Sequence, residues 1–336
     1  MPAGPQTPDG AQDEPTIRRA TEADRPAMIE LCRASLGWQE GDPNEAFYAW
    51  KHDRNAFGES PAWLAVASDG SLVGLRVFLR WRFVDADGRP FDAVRAVDTA
   101  THPDWQGRGI FTKLTLGALP DLAELGVAVV FNTPNDKSRP GYLKMGWQTV
   151  GRVPVGLRLR SALAAPRVAG ARAAAEKWSV PVDVGLPAVD LFGDDAEVQA
   201  LLAGAEPLAG IHTERSAAYL RWRYSFEPLH YRAVPLGDSL RDGVIVFRVR
   251  RRGSATELTL CEVLAPSGAR VGRAVGYALR RSGADYALRC SGAGSARAGF
   301  APVPQLGPIL VWREITRPGI PELADLDLSL GDVELF

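Results

Sequence analysis

Cysteine is scarce: Cys32, Cys261 and Cys290 are the only three in 336 residues. They are far apart and odd in number, which excludes a disulfide framework and a paired-cysteine zinc motif and predicts a reducing cytoplasm. An excess of one charge is also missing. The chain has 39 lysines and arginines against 40 aspartates and glutamates, a net charge of −1, so nothing global attracts nucleic acid or an anionic membrane. No apolar run approaches the roughly 20 residues that span a bilayer. The opening MPAGPQTPDGAQDEPT has no basic start followed by an apolar stretch, so residues 1–15 read as a disordered leader and not as a signal peptide. What is present is core material, with 46% hydrophobic and 24% charged residues, as in soluble globular proteins. The length suits two domains of ordinary size.

Periodicity predicts a strand near Thr16–Arg18, then a helix capped by Thr21 with Ala27, Leu31 and Ala34 on one face. Residues 63–68, 72–84 and 91–101 alternate as strands around the turns Asp69-Gly70 and Asp87-Gly88, which predicts an antiparallel meander. A Gly-containing loop, a helix from about Ile110 that Pro120 kinks or ends, and a buried strand at 126–131 follow. Residues 161–187 are Ala-rich with scattered Pro and Gly, a connector with one helix around 169–177. The second half echoes the first: FYAWKH at 47–52 beside YLRWRY at 219–224, Leu72–Phe83 beside Gly243–Arg252, and Gly146-Trp147 beside Gly299-Phe300. Three echoes in one order predict a duplicated α+β unit. The expected organisation is a leader at 1–15, a first domain at 16–160, a linker at 161–187 and a second domain at 188–336.

Chemistry concentrates in VRAVDTATHPDWQGRGIF, residues 94–111. A strand ends at His102-Pro103, Gln106-Gly107-Arg108-Gly109 forms a loop, and a helix begins at once. Such a loop aims several backbone N–H groups and the positive end of a helix dipole at one spot, a place for phosphate. Glycine lets a ligand approach the backbone closely. No Gly-Lys-Ser/Thr follows, so it is not a P-loop, and the third glycine of a dinucleotide fingerprint is missing.

Gln106 to Gly109 fits a Q-x-x-G-x-G/A pattern up to its last position, where Phe111 stands for the usual small residue. Downstream, Tyr142 comes seven positions after Asn135, followed by Lys144 and Gly146-Trp147. Over residues 16–158 this pair of motifs resembles the acyl-CoA site of the GNAT superfamily of N-acetyltransferases. The resemblance implies an α+β fold of tandem GNAT-like domains, each a mixed, mostly antiparallel sheet flanked by helices. It implies that acetyl-CoA is the co-substrate, with the backbone of Val97, Thr99 and Thr101 along pantetheine. Gln106, Gly107, Gly109, Ile110 and Phe111 would hold the pyrophosphate, and Asn135 would complete the site. Arg108 is either a phosphate contact or a solvated loop arginine.

Tyr142 is the implied acid that returns a proton to the departing thiolate. Asp98 has two readings. It is the catalytic base lining the acceptor pocket, or a structural acid paired with an arginine such as Arg80 or Arg95; strand alternation puts it beside Ala96 and Ala100, opposite Thr99 and Thr101. His102 is not expected to be catalytic. Some tandem GNAT enzymes use a C-terminal carboxylate as base, and this sequence ends Glu334-Leu335-Phe336. The second half has Pro266-Ser267-Gly268-Ala269-Arg270 where the first has its loop, which reads as a degenerate GNAT-like domain without its own CoA site. Tyr219, Arg221, Trp222, Arg223 and Tyr224 read as core packing plus solvated arginines.

The expected function is an N-acetyltransferase that moves an acetyl group to a primary amine of a small molecule by direct attack, with no acyl-enzyme, no metal, no nucleic acid and no membrane. No cysteine lies near the motifs and no G-x-S-x-G elbow occurs. The alternatives are a non-catalytic acyl-CoA-binding sensor or scaffold, and a peptidyl transferase of the same fold that uses aminoacyl-tRNA.

Overall fold

The computed structural model describes residues 14–171, 173–292 and 294–333. Residues 1–13 of the expected leader and the terminal Glu334-Leu335-Phe336 lie outside the described residues. The strands, in chain order, are β1 (Thr16–Arg19), β2 (Ala62–Val66), β3 (Leu72–Val84), β4 (Pro90–Thr101), β5 (Val129–Asn132), β6 (Gln148–Arg152), β7 (Val155–Leu159) and β8 (Leu186–Pro187). They continue as β9 (His212–Thr213), β10 (Arg232–Pro235), β11 (Val244–Arg252), β12 (Ala255–Leu264), β13 (Tyr286–Cys290), β14 (Ala301–Pro302) and β15 (Ile309–Glu314).

Two sheets result. The first runs β1-β2-β3-β4-β5-β15-β6 with β9 against β3, and the second runs β14-β7-β13-β12-β11-β10-β8. Pairing is antiparallel except between β4 and β5 and between β12 and β13. This is the expected α+β plan of two mixed, mostly antiparallel sheets. One apolar core joins residues of both sheets, such as Phe83 and Trp312 with Val246 and Cys261. Two further cores, each on one sheet, pack Ile110 and Leu114 on the first and Val275 and Leu279 on the second.

The meander forms as the turns require: Gly70 and Gly88 both take positive φ, and β2, β3 and β4 pair in succession. The first helix, Arg25–Leu36, departs from its expected face. Met28, Ile29, Leu31 and Cys32 are buried while Ala27 and Ala34 are exposed, because the larger side chains offer more apolar area to remove from water than a methyl does. Pro120 splits the next helical region into Ile110–Gly117 and Leu119–Glu124. The connector helix lies at Ala165–Gly170, earlier than expected.

The duplication is visible in the packing. Trp50 Nε1 donates to the Trp222 carbonyl at 2.6 Å and Trp222 Nε1 donates to the Trp50 carbonyl at 2.7 Å, with the rings stacked 5.9 Å apart. The echoed segments thus meet as near-symmetric partners, and the bonds keep two buried indole donors satisfied.

The halves also exchange strands. β15 from the end of the chain fills the place between β5 and β6, while β7 pairs with β13 and β14 in the other sheet. A division at 161–187 therefore follows the chain but not the sheets, and a cut there takes β9 and β15 from the first sheet and β7 from the second. Residues 14–160 expressed alone are expected to be insoluble through the unpaired edges of β5 and β6, and co-expression with 161–336 is expected to restore a soluble pair. A soluble 14–160 fragment with its own cooperative melt would show that the exchange is dispensable.

Candidate active site

The parallel pairing of β4 with β5 holds at Ala93, Val94 and Arg95 and then stops. Beyond it the strands splay, and the gap opens a groove of about 640 Å³. A β-bulge shapes its wall: Val97 pairs with Val77 and Ala100 with Leu75, so Asp98 and Thr99 together oppose Arg76. Asp98 takes φ +42°, a left-handed conformation that costs a non-glycine residue about 1–2 kcal/mol. The bulge also breaks the alternation expected of β4, because Ala96 and Ala100 pack into different cores on opposite faces of the sheet.

Gly74 sets the height of the helix that closes the groove. A Cβ there would stand 2.5 Å from Ile110 Cγ2 and 3.0 Å from Leu114 Cδ1, so the missing side chain lets Ile110–Gly117 lie directly on β3. Gly107 and Gly109 both take positive φ, and Gly109 is the N-cap with no side-chain cap. The first N–H groups of that helix are left open at the groove.

Val97, Asp98, Thr99, Thr101, Gln106, Gly107, Gly109, Ile110, Phe111, Asn135 and Tyr142 all line this one groove. Arg108 does not. Its guanidinium lies 4.6 Å over the Trp105 ring and donates to the Asp104 carbonyl at 3.3 Å, which fits the solvated-loop reading. Asn135 Oδ1 accepts from the backbone N–H of Lys137 and Ser138 at 3.1 and 2.9 Å. It thereby shapes the turn before helix Arg139–Lys144. Phe111 fits because Gly141 makes room: a Cβ at Gly141 would sit 3.0 Å from its ring, which packs edge-on to Tyr142 with centroids 5.4 Å apart. His102 accepts from Asp104 N at 3.4 Å, capping the short helix Pro103–Trp105.

Tyr142 is buried, and its hydroxyl accepts from Arg76 Nη1 at 2.8 Å. The same Nη1 bonds Thr99 Oγ1. Arg76 is itself fully buried, with its charge over the rings of Phe78, Phe111 and Tyr142. A phenol whose lone pair is taken by a guanidinium keeps its own proton free to give. Arg76 was missed in the sequence, where it stands inside the apolar run LVGLRVFLRWRFV. A lone arginine in such a run was the available signal.

Asp98 finds neither Arg80 nor Arg95. Its Oδ2 accepts from Lys51 Nζ at 2.8 Å and meets His52 Nε2 at 2.7 Å, and both partners are buried. Burial by itself would raise the carboxyl, but the Lys51 charge and the His52 bond outweigh it and hold Asp98 well below the ordinary carboxylate range. Burial pushes His52 below the ordinary imidazole value, so a neutral ring donating Nε2–H matches its bond to Asp98. Asp98 serves here as the anchor of a buried triad. Arg95 instead donates to the carbonyls of Asp332 and Val333 at 3.0 and 2.7 Å and to Thr133 Oγ1 at 2.8 Å, tying the last described residues to the groove wall.

Among the described residues, no cluster of three or more His, Cys, Asp or Glu could hold a metal, and no helix is long and apolar enough to cross a membrane. None of the three cysteines is in a disulfide, and all are buried.

Two mixed, mostly antiparallel sheets flanked by helices, with splayed parallel strands beside a glycine loop at a helix N-terminus, define an α+β fold. Residues 16–150 match the family described as acetyltransferase (GNAT) domain. No curated protein matches the sequence. Among solved structures, a GCN5-related N-acetyltransferase from Anabaena variabilis superposes with TM-score 0.63 at 13% identity, over 89% of this chain and 73% of that one. A probable N-acyltransferase from Enterococcus faecalis gives 0.61 at 11%, covering 90% and 73%. Eis1 from Mycobacterium abscessus gives 0.55 at 17%, covering 89% and 73%. These likenesses cover about nine tenths of this chain and so extend to its second half, whose fold these structures share.

Proposed function

We propose that the first half binds acetyl-CoA in the groove between β4 and β5 and transfers its acetyl group to a primary amine of a small molecule. The observation that carries this reading is the Arg76–Tyr142 pair, set in a groove whose other end is an open row of helix N–H groups. The groove suits the co-substrate: diphosphate at Gly107 to Phe111, pantetheine along β4, and the thioester near the bulge.

The amine loses one proton to water and its nitrogen attacks the thioester carbonyl. The amides of Asp98 and Thr99, in the bulge opposite Arg76, would hold the oxyanion. Collapse breaks the C–S bond, and Tyr142 gives its proton to the leaving sulfur. Arg76 steadies the phenolate until the proton shed by the new amide nitrogen returns to it through water. Asp98 positions Lys51 and His52 and takes no proton. Three buried cysteines outside any disulfide fit a reducing cytoplasm as the place of action.

Calorimetry of acetyl-CoA binding tests the donor site. The natural chain is expected to bind in the micromolar range, and Gly109→Trp is expected to abolish binding. Gly109 faces open space at φ +75°, so an indole there both strains the loop and fills the phosphate position. Absence of binding in the natural chain would overturn the acetyltransferase reading.

A further inference from the structure

The second half repeats the splay that makes the donor groove. β12 pairs with β13 at Glu257, Leu258 and Thr259 and then separates, and β12 carries its own bulge at Cys261, since Val246 pairs with Glu262 and Phe247 with Leu260. The helix Val271–Ser282 begins beyond it, its N-cap Arg270 making no side-chain cap and its first turn free of acid. The opening is a groove of about 1130 Å³, larger than the donor groove.

Its lining differs in chemistry. Arg158, Arg270, Arg273, Arg289 and Arg297 all face it, against the carboxylates of Glu206 and Asp327 alone. The excess is three positive charges. Among the described residues none of the five arginines is in an ion pair with a carboxylate. By contrast, Arg215 bonds Glu262 at 3.0 Å and Asp332 at 3.2 Å, and Arg250 bonds Glu257 at 3.0 Å.

Two of the five are built into the floor. Arg158, on the exchanged strand β7, donates to the carbonyls of Gly272 and Ala298 at 2.6 and 2.8 Å, bridging the first turn of the helix to the turn 294–299. Arg289 donates to the Cys290 carbonyl at 3.1 Å and lies over the Phe300 ring. Burial lowers the pKa of both, with Arg280 adding to it for Arg158, while Cys290 and Asp327 oppose it for Arg289. A part-buried guanidinium bonded only to carbonyls keeps its net charge uncompensated, which favours an anion beside it.

We propose that this second groove binds a nucleotide diphosphate, held by guanidinium side chains where the first groove offers backbone amides. The excess of three charges suits a diphosphate ester, and the volume admits an attached nucleoside. The site does not depend on catalysis in the first half. Because Arg158 comes from β7, occupancy bears on the exchanged strand and so on the contact between the halves.

Titration calorimetry of the full chain with ADP, and separately with CoA, tests this. Arg270 and Arg273 are exposed, so Arg270→Glu/Arg273→Glu is expected to leave the thermal melt unchanged and to weaken ADP binding about a hundredfold, as two charge-assisted contacts are lost. Gly109→Trp is expected to keep ADP binding at one per chain. If CoA is a ligand of this groove, the natural chain binds two CoA and Gly109→Trp one. If a plain nucleotide is the ligand, ADP binds and CoA stays at one per chain. ADP binding that survives the double reversal, or absence of ADP binding in the natural chain, overturns the proposal. The arginine pair decides this even if the tryptophan variant does not fold.

Discussion

Replacing Tyr142 by phenylalanine is expected to lower kcat for acetyl transfer at least about a hundredfold, the usual scale for loss of a positioned acid, while the Kd for acetyl-CoA stays within about twofold. The ring contacts survive the change, because Tyr142 packs edge-on to Phe111 and Trp147 at 5.4 Å through its aromatic carbons. What disappears is the proton donor and the acceptor of the Arg76 bond. Arg76 then loses a buried partner, so a stability loss of about 1–3 kcal/mol should accompany the kinetic effect. Single-turnover rates with a responsive amine separate the two, since folded enzyme can be counted by its CoA stoichiometry. An unchanged kcat would remove Tyr142 as the acid and return the reading to a binding module.

The second large effect is on folding. Asp98→Asn keeps the shape of the side chain but removes the carboxylate charge that the buried Lys51 ammonium bonds, and breaking such a buried pair costs about 3–5 kcal/mol. The bulge at φ +42° loses the contacts that hold it. Urea unfolding at pH 7.5 should show the full difference from the natural chain. The difference should then shrink on acidification. Asp98 has a depressed folded pKa, so its contribution is complete above the unfolded value of about 3.9 and fades as pH falls toward the folded one. His52 adds an earlier slope. Its folded pKa is also lowered, so as pH drops below about 6.5 the unfolded chain takes up a proton that the folded chain refuses, and stability falls. A difference between the two chains that is small at pH 7.5 would show that water, and not Asp98, satisfies Lys51.

Much of the donor site was legible because it is local. Strand, loop and helix occupy residues 90–117 without interruption, and the loop's chemistry lies in backbone N–H groups that Gly107 and Gly109 expose whatever else surrounds them. Tyr142 and Asn135 were legible by spacing, since one short turn and one helix separate them from β5. The duplication was legible in repeated aromatic segments, and the Trp50–Trp222 pair shows why they match: each indole needs the other's carbonyl.

The partners of the charged groups were not legible. Alternation gave Asp98 a face that the bulge opposite Arg76 overrode, and Lys51 and His52 reach it from 47 and 46 residues away in sequence. Phe111 looked like a departure from pattern until Gly141 supplied the space for its ring. The strand exchange was invisible for the same reason, because β7 and β15 read as ordinary short strands. By itself the sequence determined the elements, the duplicated plan and the amide-lined donor loop, all set by contiguous residues whose backbone preferences are local. Only the tertiary structure decided which buried charges meet, that Arg76 and not a neighbouring acid attends Tyr142, and that each sheet is completed by the other half, because strand register and burial depend on contacts between residues far apart in the chain.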